Sequence, residues 1–225
     1  MPINEREQEF LKQVLPFWGE LTAEQQRAVK NGSASRHFSP GSVLHSGPGD
    51  CAGLFVIIKG QVRAYILSDS GREITLYRLF DRDVCIFSAS CMMKDIRFDV
   101  HMQAVEETET ILIPTPVYRE LDQNSLAVSN YTSQILSSRF SDVMWLLEQI
   151  LFMSLDKRLA LHLIELSSIS GNRLKVTHEE IARDIGTARE VVTRMLKYFQ
   201  TEGMVKLSRG EINLTDRKKL ESLAK

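Results

Sequence analysis

The sequence predicts an α+β chain: an N-terminal β-roll of jelly-roll type with flanking helices, a long helix, and a C-terminal winged helix-turn-helix. Three observations predict it. Residues 36–114 break into short apolar runs punctuated by Gly, Pro and Asp, the mark of strands joined by tight turns. Residues 117–153 return to apolar residues at helical spacing. Thr177 to Leu214 reads as two capped helices followed by two short strands.

The chain opens with a short helix over 4–15, whose apolar side is Phe10, Leu11, Val14 and Leu15. A second helix runs from Thr22, a capping residue, to Lys30, and Asn31-Gly32-Ser33 ends it. Predicted strands follow at Gly41-Ser42-Val43-Leu44, Leu54-Phe55-Val56-Ile57-Ile58, Val62-Arg63-Ala64-Tyr65-Ile66, Ile74-Thr75-Leu76-Tyr77 and Thr110-Ile111-Leu112-Ile113. Lys59-Gly60 and Ser68-Asp69-Ser70-Gly71 are turns between them, and so many short strands suggest a barrel or roll.

In the long helix, Leu136, Phe140, Val143, Leu147 and Ile150 are spaced four, three, four and three. That is a heptad seam of about two repeats. Leu146, Leu151 and Met153 widen the apolar surface. Two readings stay open: the seam meets a second copy of the chain, or the helix is an ordinary core helix. Ser154-Leu155-Asp156 reads as a hinge, with Asp156 capping a new helix that runs to about Glu165.

The C-terminal segment is the most specific. Thr177-His178-Glu179-Glu180 is a capping box, and Ile181, Ala182 and Ile185 give the first helix an apolar side. Gly186 supplies the sharp turn, and Thr187 is a candidate cap for the second helix. Advancing about 100° per residue from Arg189 puts Arg189, Glu190, Thr193, Arg194 and Lys197 on one side. Val191, Val192, Met195, Leu196 and Phe199 fall on the other. One face is built to bury and the other to meet a polar, anionic surface, as a helix in a DNA major groove requires. Met204-Val205-Lys206-Leu207 and Glu211-Ile212-Asn213-Leu214 form the wing strands around a Ser208-Arg209-Gly210 turn, and Asp216 caps a final helix.

Charge agrees. Residues 155–225 hold 14 Lys and Arg against 10 Asp and Glu, a net of +4, whereas residues 1–154 carry −5. The basic end would be drawn to phosphates. A run of about 18 apolar residues, the length of a membrane span, does not occur. The polar start Met1-Pro2-Ile3-Asn4-Glu5-Arg6 lacks the apolar region of a signal peptide. Three cysteines suit no disulfide framework. A cytoplasmic protein that meets no membrane is expected. No Gly-x-Ser-x-Gly, His-Glu-x-x-His, phosphate-binding loop or Gly-x-Gly-x-x-Gly occurs, so no enzyme is expected. Glu106-Glu107 lie in a turn-like stretch and read as solvated, and His37, His45, His101, His162 and His178 have no metal-ligand spacing.

Two segments resemble the Crp/Fnr family of bacterial transcription regulators. They are Phe38 to Leu44 with Leu54 to Val62, similar to the opening strands of a cyclic-nucleotide-binding-type roll, and Glu180 to Leu196, similar to the family helix-turn-helix. The order of elements extends the likeness over essentially the whole chain. The resemblance implies an effector-sensing roll with its N-terminal helices over residues 1–116. A dimerisation helix and hinge would occupy 117–154, and a DNA-binding domain 155–225. It implies a homodimer on double-stranded DNA through Leu136, Phe140, Val143, Leu147 and Ile150. Base readers are implied at Arg189, Glu190 and Arg194, within a DNA-binding set completed by Thr187, Ala188, Thr193, Lys197 and Arg209. RNA polymerase and an unidentified small-molecule effector are the remaining candidate partners. Arginine pairs with guanine and glutamate with cytosine, so half-sites resembling TGTGA are expected, roughly 34 Å apart.

The chain departs from the family in its roll. Members that bind cyclic AMP carry Gly-Glu, then Arg-Ser or Arg-Thr about ten residues on. The Glu holds the ribose and the Arg the cyclic phosphate. Here Phe87 or Ser88 stands at the Glu, and Arg97 or Phe98 at the Arg, depending on the direction of counting. Cyclic AMP is therefore not expected. Nor is an iron–sulfur cluster, since the cysteines are Cys51, Cys85 and Cys91, with none in residues 1–50. Cys85, Phe87, Ser88, Ala89, Ser90, Cys91, Arg97 and Phe98 are the candidate effector-pocket residues, and Met92, Met93 and Met102 would line an apolar pocket or serve as core. Cys85 and Cys91 flank Ser88-Ala89-Ser90, where a helix start would activate a thiol. A reversible disulfide or soft-metal site is one reading, and two buried small apolar residues the other. The function expected is a ligand- or redox-responsive regulator. The alternative is an effector-independent architectural DNA-binding protein with the roll as scaffold.

Overall fold

The computed structural model describes residues 3–47, 52–86, 88 and 99–224. Two short helices, α1 (Glu5–Val14) and α2 (Ala23–Gly32), lead the chain. Both start with a capping box, Asn4 with Glu7 and Thr22 with Gln25. Among the described residues eight strands follow: β1 (Ala34–Phe38), β2 (Val43–Ser46), β3 (Gly53–Lys59), β4 (Val62–Leu67), β5 (Glu73–Leu79), β6 (Val84–Cys85), β7 (His101–Ala104) and β8 (Thr108–Pro114). They form two four-stranded sheets, in the orders β1-β8-β3-β6 and β2-β7-β4-β5.

The strand β3 shows why this sheet holds. Leu54, Phe55, Val56 and Ile57 are all buried, because the strand lies between two cores. Leu54 and Val56 point to a cluster that includes Leu11, Trp18, Val29 and Tyr118 from the helices. Phe55 and Ile57 point into the roll beside Leu44, Tyr77 and Met102. Its partner β8 does the same, with Ile111 and Ile113 on the helix side and Leu112 on the roll side. A full side chain of this size contributes about 1.5–3 kcal/mol when buried.

Three of the roll strands were not anticipated. The β1 strand is polar and half-exposed, held by its backbone register with β8 from Ala34↔Leu112 to Phe38↔Thr108. The β6 strand has two residues, and β7 alternates correctly, with Met102 and Ala104 buried, over only four. The single helix expected over 117–153 is two, α3 (Thr115–Asn124) and α4 (Leu126–Phe152). The chain turns extended at Ser125 (φ −136°, ψ 115°). Asn124 Nδ2 donates to the Glu120 carbonyl at 2.9 Å, the local competition with the backbone that ends helices at such residues. Thr132 then ties the two helices, pairing with the Tyr118 hydroxyl at 2.8 Å and donating to Asp122 at 2.7 Å.

The chain divides into two compact units. One holds residues 1–67 and 76–143, the other 68–75 and 144–225. The second contains α5 (Leu155–Ser170), β9 (Arg173–Leu174), α6 (His178–Asp184), α7 (Arg189–Thr201), β10 (Val205–Ser208), β11 (Glu211–Leu214) and α8 (Arg217–Ala224). The cap of α5 is Ser154, not Asp156, which sits in the first turn and accepts a hydrogen bond from Ser154 that holds its carboxyl below the usual range. Asp216 does cap α8, accepting from Lys219 N at 3.1 Å. Segment 68–75 joins this unit through the Thr75 hydroxyl, which donates to Asp184 Oδ1 at 2.9 Å, and through Glu73, 3.6 Å from Arg183. Among the described residues, no helix is long and apolar enough to cross a membrane.

The core of the second unit joins Leu159, Leu163, Ile181, Val192, Leu196, Phe199, Ile212 and Leu220. Truncating its largest fully buried member, Phe199→Ala, is expected to lower stability by about 3–5 kcal/mol. Urea unfolding of the wild-type and variant chains measures this.

Candidate nucleic-acid interface

The interface is built on α6, α7 and the wing. Thr177 Oγ1 accepts from Glu180 N at 3.1 Å, and the Glu180 carboxylate accepts from Thr177 N at 2.7 Å. Two otherwise orphaned N–H groups are satisfied at the start of α6. Ile181 and Ala182 bury its inner side. Gly186 then takes φ +67°. A Cβ there would meet only ordinary contacts at 3.6 Å or more, so the left-handed backbone, not space, selects glycine.

The residue that caps α7 is Ala188, with no side-chain hydrogen bond, and not Thr187. The tight Gly186 turn sets this: Thr187 N is already donated to the Ala182 carbonyl at 2.9 Å. The α7 helix starts one residue later than a Thr187 cap requires.

From there the helix divides as its sequence predicts. Val192, Leu196 and Phe199 are fully buried. Arg189, Glu190, Arg194 and Lys197 are exposed, as is Arg209 at the wing turn. Among the described residues, none of these four cations forms an ion pair. Arg183 of α6 is different, lying near both Glu73 and Glu179. Val191 and Met195 are half-buried and line a groove of about 540 Å³ with Asp156, Arg194 and Tyr198. Thr187 and Ala188 are half-buried beside the start of α7.

Thr193 is the exception on the polar face. Its hydroxyl donates to the Arg189 carbonyl at 2.9 Å and lies 2.9 Å from His178 Nδ1. It is half-buried and already engaged within the protein. His178 has no signal in the sequence beyond its place in the capping box. Burial and the Arg189 guanidinium both push its pKa below the ordinary histidine value.

The wing pairs Val205↔Leu214 through Ser208↔Glu211. A two-residue strand, β9, adds a third partner through Leu174↔Ile212, which sequence periodicity is too short to reveal. Gly210, at φ +73°, makes the turn that carries Arg209. A cleft of about 410 Å³ lies between His178, Glu179, Arg189, Ser208, Gly210 and Glu211.

The candidate effector residues separate. Cys85 is buried in β6, its thiol donating to Met102 Sδ at 3.3 Å and lying 3.9 Å from the Tyr77 hydroxyl. Burial pushes the Tyr77 hydroxyl up, well above its ordinary value. Cys85 stands in a strand among apolar groups. Met102 is core, fully buried. Ser88 is buried, and its hydroxyl donates to the Gly53 carbonyl. Phe87, Ala89, Ser90, Cys91, Met92, Met93, Arg97 and Phe98 lie outside the described residues, as does Cys51. One buried cation escaped the sequence reading: Arg63 sits 4.1 Å over the Tyr65 ring and donates to Gln103 Oε1 at 3.1 Å.

The dimer candidates on α4 also separate. Leu136 packs against both cores of its own unit. Val143 is half-buried, and Phe140, Leu147 and Ile150 are exposed.

The Crp-like helix-turn-helix domain matches residues 157–223. The fold is similar to the crystal structure of a Crp/Fnr-family protein from Eubacterium rectale, at 50% identity and TM-score 0.91, covering 95% of this chain and 99% of that one. The cAMP-activated global transcriptional regulator Vfr of Pseudomonas aeruginosa is 26% identical over 181 residues, which are 76% of this chain and 83% of Vfr. The global nitrogen regulator of Synechococcus elongatus is 28% identical over 180 residues, 74% of this chain and 79% of that protein.

Removing the α6 cap with Thr177→Ala is expected to cost about 1 kcal/mol and to speed amide exchange along α6. Hydrogen exchange by mass spectrometry tests it.

Proposed function

The chain belongs to the Crp/Fnr family, and on that premise we propose that it is a homodimeric regulator that reads a near-palindromic operator with TGTGA-like half-sites. That it is a DNA-binding transcription regulator of this type follows from the family match. The observation that carries the finer reading is α7 itself. Val192, Leu196 and Phe199 on its inner side are fully buried, and Arg189, Glu190, Arg194 and Lys197 are exposed, with none of the cations in an ion pair among the described residues. Unpaired cations on a rigid helix are ready to meet phosphates and guanine edges.

In this reading Arg189 and Arg194 donate to guanine O6 and N7, and Glu190 accepts from cytosine N4. Lys197 and Arg209 hold phosphate, and Thr187 and Ala188 lie beside the backbone at the start of α7. Thr193 fixes the helix to α6 through His178. The second half of α4, with Phe140, Val143, Leu147 and Ile150, supplies the contact between copies. Leu136 braces that helix on the roll. Residues 1–116 sense, 117–154 pair and transmit, and 155–225 bind DNA. The compartment is the cytoplasm, and RNA polymerase is the partner on the promoter.

The effector is a small molecule or a redox signal received in the roll. The Pseudomonas relative is cAMP-activated. In this chain neither Phe87 nor Ser88 offers the acid that would hold a ribose, so cyclic AMP is not the proposed signal. An effector must prefer one conformation, or it shifts nothing. The packed interior around Cys85, Met102 and Tyr77 favours a second reading, in which the roll is a scaffold and DNA binding needs no effector.

Fluorescence anisotropy on a TGTGA-type palindrome and a scrambled duplex, in reductant and after mild oxidation, tests the proposal. Selective binding is expected, and its absence under both conditions, with candidate effectors also failing to restore it, would overturn it. Arg194→Ala is expected to weaken specific binding by about 1–3 kcal/mol and to relax preference at one G·C pair. Equal losses on both duplexes would make Arg194 a phosphate contact. Phe140→Glu is expected to shift sedimentation from dimer toward monomer.

A further inference from the structure

We propose that His178 is a further DNA-contacting residue, and that through it the protein takes up protons when it binds DNA. The inference rests on α7 being the reading helix. His178 lines the cleft between α6, the start of α7 and the wing turn, together with Arg189, Ser208, Gly210 and Glu211. Any phosphate drawn to Arg189 from the wing side enters that cleft.

The ring is held in a defined pose. The Thr193 hydroxyl has one proton, and the Arg189 carbonyl receives it. Thr193 Oγ1 is therefore the acceptor in its 2.9 Å contact with His178, and Nδ1–H is the donor. This fixes the tautomer of the neutral ring and leaves Nε2 as its free nitrogen, with no hydrogen-bond partner among the described residues. Unprotonated, Nε2 can only accept and has nothing to offer a phosphate oxygen. Protonated, it becomes a cationic donor, the form a phosphate favours.

The charges around the ring come from three elements. Arg189 faces it from α7, Glu179 from its own helix and Glu211 from the wing. Burial and then the Arg189 charge hold the pKa of the ring in the free protein below the ordinary value. A DNA phosphate in the cleft adds negative charge beside the ring and offsets the field of Arg189. Both effects raise the pKa in the complex. The sign follows from linkage. Where the bound pKa exceeds the free one, binding takes up a proton, and affinity rises as pH falls from the bound pKa toward the free pKa. Above both values the dependence vanishes. One ring gives at most a tenfold change per pH unit, and two rings in a dimer at most about a hundredfold. The expected change is about three- to tenfold tighter binding at pH 6 than at pH 8.

The test measures anisotropy on the palindromic duplex at pH 6, 7 and 8 and fixed salt, for the wild type, His178→Gln and His178→Arg. Gln keeps a donor toward Thr193 and loses the charge, while Arg keeps a charge at every pH. The expected result is a pH slope in the wild type that Gln abolishes at the weak level and Arg abolishes at the tight level. In parallel, NMR of 13C-labelled histidine follows the His178 pKa in the free and DNA-bound wild type, independent of how the variants fold. An unchanged slope in His178→Gln, or the same His178 pKa free and bound, would overturn the inference and leave the DNA reading intact. Failure of the wild type to select the palindrome at any pH would instead remove the DNA reading, and this inference with it.

Discussion

The burial of Val192, Leu196 and Phe199 sets the rotation of α7 about its own axis, and the interface depends on that rotation. These side chains enter a core with Ile181 and Ala182 of α6, Leu159 and Leu163 of α5 and Ile212 of the wing. A helix advances about 100° per residue, so placing Val192, Leu196 and Phe199 inward turns Arg194 and Lys197 outward. Arg189 lies nearer the buried side and is exposed because it is the first residue of the helix. The core is close-packed and resists small rotations, so the outer face is rigid before any ligand arrives. Such pre-organisation reduces the ordering cost of binding.

Electrostatics then follows from what is left unmatched. The second unit uses several carboxylates internally: Asp184 with Thr75 and His162, Glu73 with Arg183, Glu180 in the α6 cap, and Glu221 with Arg217. With those acids committed elsewhere, Arg189, Arg194, Lys197 and Arg209 remain without carboxylate partners among the described residues. The net +4 over residues 155–225 is thereby expressed on the face of α7 and at the wing turn. Surface ion pairs contribute little to stability, so leaving these cations free costs the fold little and keeps them available.

The sequence made this end of the chain legible because helical periodicity, a capping box and a turn glycine all operate within a few residues. Ile181, Gly186 and Leu196 announce their roles locally. The roll was legible only where strands are apolar and long, as in β3 and β8. The polar β1 strand is specified by its pairing with β8, and β9 by two backbone registers, neither of which is a property of its own residues. Thr187 misled because a threonine before an apolar run is a good cap by composition, while the left-handed turn at Gly186 shifts the helix start by one. His178 was invisible for a similar reason. Its significance comes from Thr193, fifteen residues away along the chain, and from a wing that folds back beside it. Cys85 reads from sequence as either reactive or buried, and its burial beside Met102 and Tyr77 is set by tertiary packing that its neighbours in sequence do not announce.

The long helix α4 carries a further constraint. In its first half Val128 is buried and Leu136 packs between the two cores of its unit. Beyond it, Phe140 is 66% exposed, Trp145 51% and Phe152 81%, with Met144, Leu147 and Leu151 also open. A helix that is apolar around so much of its circumference is stable in water only when another surface covers it. The proposed pairing of two copies supplies that surface from the same sequence, through a seam that repeats with the heptad period and so matches itself across a two-fold axis. In that proposal the exposed apolar face of α4 and the unpaired cations of α7 serve one requirement, since an operator with two-fold symmetry would be read by two helix-turn-helices held together.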